Sequence, residues 1–317
     1  MAKEIPVYLI TGFMDSGKTS LILQTLFGSE FAYSDEKKLI ICCEDGEEEY
    51  DIEKLRTVNA ELVMLEEEED LTGEKLQEIM DVYKPDAVFI EYNGTWEAAT
   101  IMEVKKPAGW ILAQAIATVD ATTFEMYQNN MRTMMNEQIF NAELVIFNRC
   151  TPDTPKTKFR AFVKAVNRPA QIVYEKEDGS IDDSEEELPF DINADIIEIT
   201  DADYALWFMD CMDNYKQYDG KKVHFLGLVY NPDDKSLKRN VFVPGRFAMT
   251  CCADDIQFLG MKAKYDEAYT LAHRSWVDVT AVIKIEFAKE YRGLGPVLHP
   301  ISVKPAEKPD DELVYFS

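Results

Sequence analysis

Short apolar runs recur through the first half of the chain, at residues 7–10, 38–43, 60–65, 87–90, 115–119, 144–147 and 171–174. They are rich in β-branched residues and lack the polar alternation of a half-exposed sheet, which reads as strands buried on both faces. Between them the spacing turns helical. Residues 20–27 form an apolar-faced run stopped by Gly28, and 74–83 carry Leu76, Ile79, Met80 and Tyr83 before Pro85 closes the segment. Buried strands alternating with helices predict an α/β fold, a parallel sheet with helices on both faces. Crossovers should be right-handed, with ligand at the carboxyl ends of the strands.

After residue 174 the pattern changes. Residues 175–187 are acidic and poor in apolar side chains, a surface excursion. Thr200-Asp201-Ala202-Asp203 resembles a helix start, leading into 204–218 and ending near Gly220. From Lys222 short strands follow one another at 223–230, 240–252, 257–263, 276–285 and 297–303, the spacing of a small β-barrel or sandwich. The division expected is a nucleotide-binding domain over 1–200, a connecting helix over 201–219 and a β domain over 220–317.

The nucleotide comes from the first strand–helix junction. Gly12-Phe13-Met14-Asp15-Ser16-Gly17-Lys18-Thr19 satisfies G-x-x-x-x-G-K-[ST] at every fixed position. A strand feeding a glycine-rich turn and then a helix points successive N–H groups at one spot, where the helix dipole also favours an anion. Gly12, Asp15, Ser16, Gly17, Lys18, Thr19 and Ser20 are therefore the expected phosphate cradle. Lys18 would reach the β- and γ-phosphates and the Thr19 hydroxyl would hold Mg²⁺.

Composition narrows the remainder. The 317 residues suffice for two cores, and no stretch approaches ~20 apolar residues, so no membrane span is expected. A net charge of −26 argues against nucleic acid and anionic membrane surfaces as partners. The start of the chain runs straight into a strand, and four of the six cysteines form two adjacent pairs, Cys42-Cys43 and Cys251-Cys252, which are poor disulfide partners. Reduced thiols in a cytoplasm are expected.

The order of motifs over roughly residues 5–174 resembles the CobW-like GTPases, relatives of the nickel-enzyme maturation GTPases. Thr11-Gly12-Phe13 through Thr19 is similar to that family's TGFLGSGKT loop, and Cys43-Glu44-Asp45-Gly46 falls at its NEFG switch segment. Ile90-Glu91-Tyr92-Asn93-Gly94 is similar to its IETSG motif, Val119-Asp120-Ala121 to its VDA run, and Asn148-Arg149-Cys150-Thr151 stands at its base-reading NKxD position. The resemblance implies GTP as the nucleotide and slow Mg²⁺-dependent hydrolysis. It assigns the catalytic roles to Lys18, Glu44 and Glu91, with Glu44 a candidate Mg²⁺ carboxylate beside Thr19. Gly94 would bring an N–H to the γ-phosphate, and Asn148 and Arg149 would contact the base.

The chain departs from the family twice. Thr151 replaces the aspartate that pairs with guanine, so discrimination between GTP and ATP should narrow. Glu66-Glu67-Glu68-Glu69-Asp70 stands where the family carries C-x-C-C, so its soft-metal chemistry does not transfer unchanged.

Arg246-Phe247-Ala248-Met249-Thr250-Cys251-Cys252-Ala253-Asp254-Asp255 is similar to the RFxxxCCxAD run of a YcgQ-like domain, found with predicted permeases. That resemblance covers about 220–317 and implies an OB-like barrel. Cys251 and Cys252, with Asp254 and His224, form a candidate site for Zn²⁺ or another transition metal, and Arg246 is placed to lower a thiol pKa if it points toward them. Core packing of the thiols is the competing reading. Three functions stay open: a GTPase serving a metalloprotein client, a nucleotide switch acting with a membrane permease, and a degenerate binding scaffold.

Overall fold

The computed structural model describes residues 3–28, 30–46, 48–184, 186–231, 240–249 and 256–316. It divides into two compact units, residues 1–154 with 166–184, and residues 155–165 with 185–317. Among the described residues no helix is long and apolar enough to cross a membrane.

The first unit holds seven parallel strands: β1 (Ile5–Thr11), β2 (Lys38–Cys42), β3 (Ala60–Met64), β4 (Ala87–Glu91), β5 (Trp110–Asp120), β6 (Leu144–Cys150) and β7 (Gln171–Lys176), in the order β3-β2-β4-β1-β5-β6-β7. Every position of β2 and β4 is buried, as the unbroken apolar runs require. Helices α1 (Lys18–Gly28) and α2 (Ile52–Thr57) cover one face, where Ile22, Leu26 and Leu55 pack on Ile10, Ile40 and Phe89. Helices α3 (Gly73–Tyr83) and α4 (Ala98–Glu103) cover the other, where Leu76, Ile79 and Ile101 pack on Leu39, Val88 and Ile90. Each such side chain contributes about 1.5–3 kcal/mol by leaving water. The sequence reading passed over α2; its signal is Asp51, whose carboxylate caps the N–H groups of Glu53 and Lys54. The first unit also holds α5 (Phe124–Asn130) and α6 (Arg132–Phe140), whereas residues 155–165, nearly all of α7 (Lys156–Val166), belong to the second.

The second unit is mostly strand: β8 (Ile197–Glu198), then helix α8 (Tyr204–Asp213), then β9 (Lys222–Tyr230), β10 (Val241–Met249), β11 (Ile256–Gly260), β12 (Ala263–Lys264), β13 (Trp276–Ala288), β14 (Gly293–Pro305) and β15 (Leu313–Tyr315). The pairings β9–β10, β10–β12, β12–β14, β14–β13 and β13–β9 close a five-stranded ring, the OB-like barrel expected. The expected connecting helix is core instead. Tyr204, Leu206, Trp207, Met209 and Cys211 of α8 pack with Phe225, Val279 and Leu298, and residues 185–200 belong to the same unit.

Two C-terminal side chains sit differently from the sequence reading. The fully buried Arg246 lies 5.0 Å from the Trp276 ring centroid, pairs with Asp201 and donates to the Asp311 carbonyl at 3.0 Å. Its charge is thus committed to Asp201 and Trp276. His224 is engaged by carboxylates on both ring nitrogens, Glu198 of β8 and Asp278 of β13, the latter at 2.9 Å. Its hydrogen bond to Glu198, and then Asp278, raise its pKa against the opposing effect of burial. A raised histidine pKa gives stability that is complete below the unfolded value of about 6.5 and disappears as pH climbs through the folded value. The melting-temperature advantage of wild type over His224→Gln should therefore be present at pH 6 and vanish by pH 9. For so exposed a pair it should reach at most about 1 kcal/mol. An advantage that does not change with pH would show that the ion pairs contribute nothing.

Candidate functional site

The turn between β1 and α1 is shaped by backbone only glycine adopts readily, with φ of +136° at Gly12 and +95° at Gly17. Lys18 opens α1 and is 2% exposed. Its ammonium donates to the carbonyls of Gly12 at 2.9 Å and Phe13 at 2.8 Å and pairs with Glu44. Glu44, on the segment after β2, also accepts from the Gly94 N–H at 3.3 Å. A buried cation is tolerable because three oxygens hold it.

Beside it Thr19 donates to Glu91 Oε1 at 2.7 Å. Glu91 ends β4 and is 2% exposed; its other oxygen accepts from the Tyr50 hydroxyl and, at 3.6 Å, from the Cys42 thiol. Burial, and then the Glu91 charge, push the Cys42 thiol up to about 12. Burial likewise raises Cys43, helped by Cys42 and Glu91. Both are protonated at neutral pH and serve as packing, consistent with a buried strand end. Ser20 of α1 donates to Glu48, so Glu44, Glu48 and Tyr50 of one segment all contact the phosphate loop or Glu91.

Gln138 on α6 was not foreseen. It is 3% exposed, accepts from the Gly12 N–H at 3.0 Å and donates to the Gly94 carbonyl at 3.1 Å, joining loop to β4. No motif marks it; a lone glutamine in a helix carries no signal in one sequence. Ser16 is anchored to Thr118 at 2.8 Å.

At the base end, the Asn148 amide donates to the Ser16 carbonyl at 2.7 Å. Arg149, with φ of +55°, donates to the Asp15 carbonyl at 3.0 Å and pairs with Asp120 at 2.6 Å. Arg149 is thus tied to the VDA aspartate. Thr151 and Asp153 are exposed, the Thr151 N–H turned to Thr154 Oγ1 at 2.8 Å. A cavity of about 280 Å³ adjoins Gly17, Ser20, Leu21, Asn148 and Glu175. The sequence-derived residues from Gly12 to Ser20, with Glu44, Glu91, Gly94, Asn148 and Arg149, are joined by these contacts at the carboxyl ends of β1, β4 and β6. Cys251 and Cys252 lie outside the described residues, and among those described no group of three His, Cys, Asp or Glu side chains is placed to hold a metal ion. The acidic run 66–70 forms a largely exposed turn, with Glu68 accepting from Thr100 at 2.6 Å.

The family model of the CobW/HypB/UreG nucleotide-binding domain matches residues 6–174, and that of the DUF1980 C-terminal domain matches 174–316. No curated protein matches the chain significantly. Among solved structures, a Zn(II)-bound triple mutant of the YjiA GTPase is 23% identical over 57% of this chain and 60% of its own, with a TM-score of 0.43. The Zn(II)-bound YjiA GTPase from E. coli is 23% identical over 54% and 57%, with a TM-score of 0.40. The hydrogenase maturation factor HypB from Archaeoglobus fulgidus is 18% identical over 54% and 81%, with a TM-score of 0.39. The chain thus spans about 60% of the length of the first of these. With the model matched over more than half its residues and its loop built as described, the chain belongs to the CobW/HypB/UreG nucleotide-binding domain family, followed by a DUF1980 C-terminal domain.

Proposed function

We propose that the chain binds GTP on the loop 12–20 and hydrolyses it slowly with Mg²⁺. The observation that carries this is the buried pairing of Thr19 with Glu91 next to Lys18 and Glu44. A hydroxyl and a carboxylate oxygen 2.7 Å apart are hard donors of the kind Mg²⁺ takes, so Thr19 and Glu91 are the residues that would hold it. Mg²⁺ bound there would offset charge on the phosphates. The loop N–H groups and Lys18 bind the triphosphate, and Glu91 orients the Thr19 hydroxyl. Phosphoryl transfer depends on positioning and charge stabilisation. Lys18 already carries Glu44 as counter-ion, which takes away part of the positive charge available to the transition state, so turnover is slow.

In this reading GTP hydrolysis by the purified chain requires Mg²⁺, and Glu91→Gln lowers the rate by about a hundredfold, the scale of losing one well-placed charge-stabilising group. Binding without Mg²⁺ should change far less. A Glu91→Gln rate equal to wild type would remove Glu91 from the site. The partner is a metalloprotein client or a membrane permease. Extension to metal transfer rests on Cys251 and Cys252.

A further inference from the structure

Phe147 of β6 and Tyr174 of β7 are register partners whose rings stack at 5.6 Å on one face of the sheet. The ladder then passes to Cys150 and Lys176 across a bulge, so Asn148 and Glu175 are not register partners, but one cavity brings both beside Gly17 and Ser20. Both line the 280 Å³ cavity. The Asn148 amide has two N–H donors, and the Ser16 carbonyl takes one. That carbonyl can only accept, so it fixes which end of the amide is nitrogen. Glu175 is half-buried and its side chain, among the described residues, makes no hydrogen bond or ion pair; burial raises its pKa. A half-buried carboxylate on the wall of a cavity is an acceptor that a ligand bringing N–H groups can use.

Resting on the reading of the loop as a triphosphate site, we propose that Glu175 reads the 6-position of the purine and admits ATP alongside GTP. The second Asn148 N–H serves N7, an acceptor that adenine and guanine share. The substituent next to N7 is an amino group in adenine and a carbonyl oxygen in guanine. Glu175, which lines the same cavity as Asn148, accepts from the amino group and repels the oxygen. Thr151 works in the same direction. It offers guanine N1 and N2 no carboxylate, so the usual counterweight in favour of guanine is missing. The acid that discriminates has in effect moved from the loop after β6 to the end of β7, and its preference is reversed.

Competition titrations of GTP and ATP on the full chain, wild type and Glu175→Gln, test this. Glu175→Gln keeps the shape of the side chain, removes the charge and adds an N–H for the guanine oxygen. Wild type should bind ATP within about tenfold of GTP, and the variant should move the GTP/ATP affinity ratio toward GTP by about tenfold, or about 1.4 kcal/mol. ATP should also outcompete purine riboside triphosphate, which lacks the 6-substituent, on wild type and lose that advantage in the variant. A ratio that moves by less than about twofold, or toward ATP, overturns the assignment of Glu175 while triphosphate binding stands. Wild type that binds neither triphosphate overturns the loop reading and this inference together. Thr151→Asp in the wild-type background should restore guanine preference independently, and additive shifts in the double variant would place the two acids on separate edges of the base.

Discussion

Lys18→Ala should lower triphosphate affinity by at least about a hundredfold, or about 2.8 kcal/mol, and leave affinity for the nucleoside nearly unchanged. The lysine supplies the positive side chain within the loop, and its hydrogen bonds to charged oxygens are each worth about 1.5–3 kcal/mol. The variant carries a second cost. Glu44 is 8% exposed and is held by Lys18 and the Gly94 N–H. Removing the lysine strands a buried carboxylate, which destabilises by about 3–5 kcal/mol. Poor folding alone could therefore imitate lost binding. Lys18→Ala with Glu44→Gln removes both charges, should recover most of the stability and should still fail to bind triphosphate. Calorimetry that finds the double variant folded and binding GTP as wild type would end the phosphate-loop assignment.

The first unit was legible because its signals are local. Short β-branched runs such as residues 39–43 read as buried strands, and glycines at 12 and 17 can be read as backbone requirements before any fold is known. Glu91 was legible for a similar reason, as a charge directly after a buried run. What stayed hidden depends on distant partners. Gln138 joins Gly12, 126 residues away in the chain, to Gly94, 44 residues away, and nothing near residue 138 announces it. Glu175 lay in a stretch read only as an acidic excursion, and the cavity it shares with Asn148 exists only once the fold is formed. Helix α8 was found, but its role was misjudged, since helical spacing shows which face is apolar and not what covers it. Arg246 and His224 show the same limit. Their residue types do not announce their partners, Asp201 for Arg246 and Glu198 and Asp278 for His224.

Gly94→Ala should be strongly damaging, although it adds one methyl group at a residue of ordinary backbone conformation. Gly94 does not need its flexibility, because its φ is not in the left-handed region. It needs its lack of a side chain. A Cβ there would stand 2.3 Å from the Gly12 carbonyl oxygen and 2.7 Å from the Phe13 Cα, both backbone atoms of the phosphate loop. Neither can swing aside as a flexible side chain would, so the end of β4 must withdraw from the loop. Withdrawal weakens the Gly94 N–H to Glu44 contact and the Gln138 bond to the Gly94 carbonyl, and Gln138 in turn orders Gly12. Overpacking of this kind costs about 3 kcal/mol, a fall of about 6–12 °C in melting temperature for a unit of this size. Triphosphate affinity should fall with it, because the displaced atoms are the loop's own backbone. Gly28→Ala is the control: at the end of α1 its Cβ meets nothing within 4 Å. There the methyl should be neutral or stabilise by up to about 1 kcal/mol. If both variants melt and bind alike, the close approach of β4 to the loop is not what holds this site in shape.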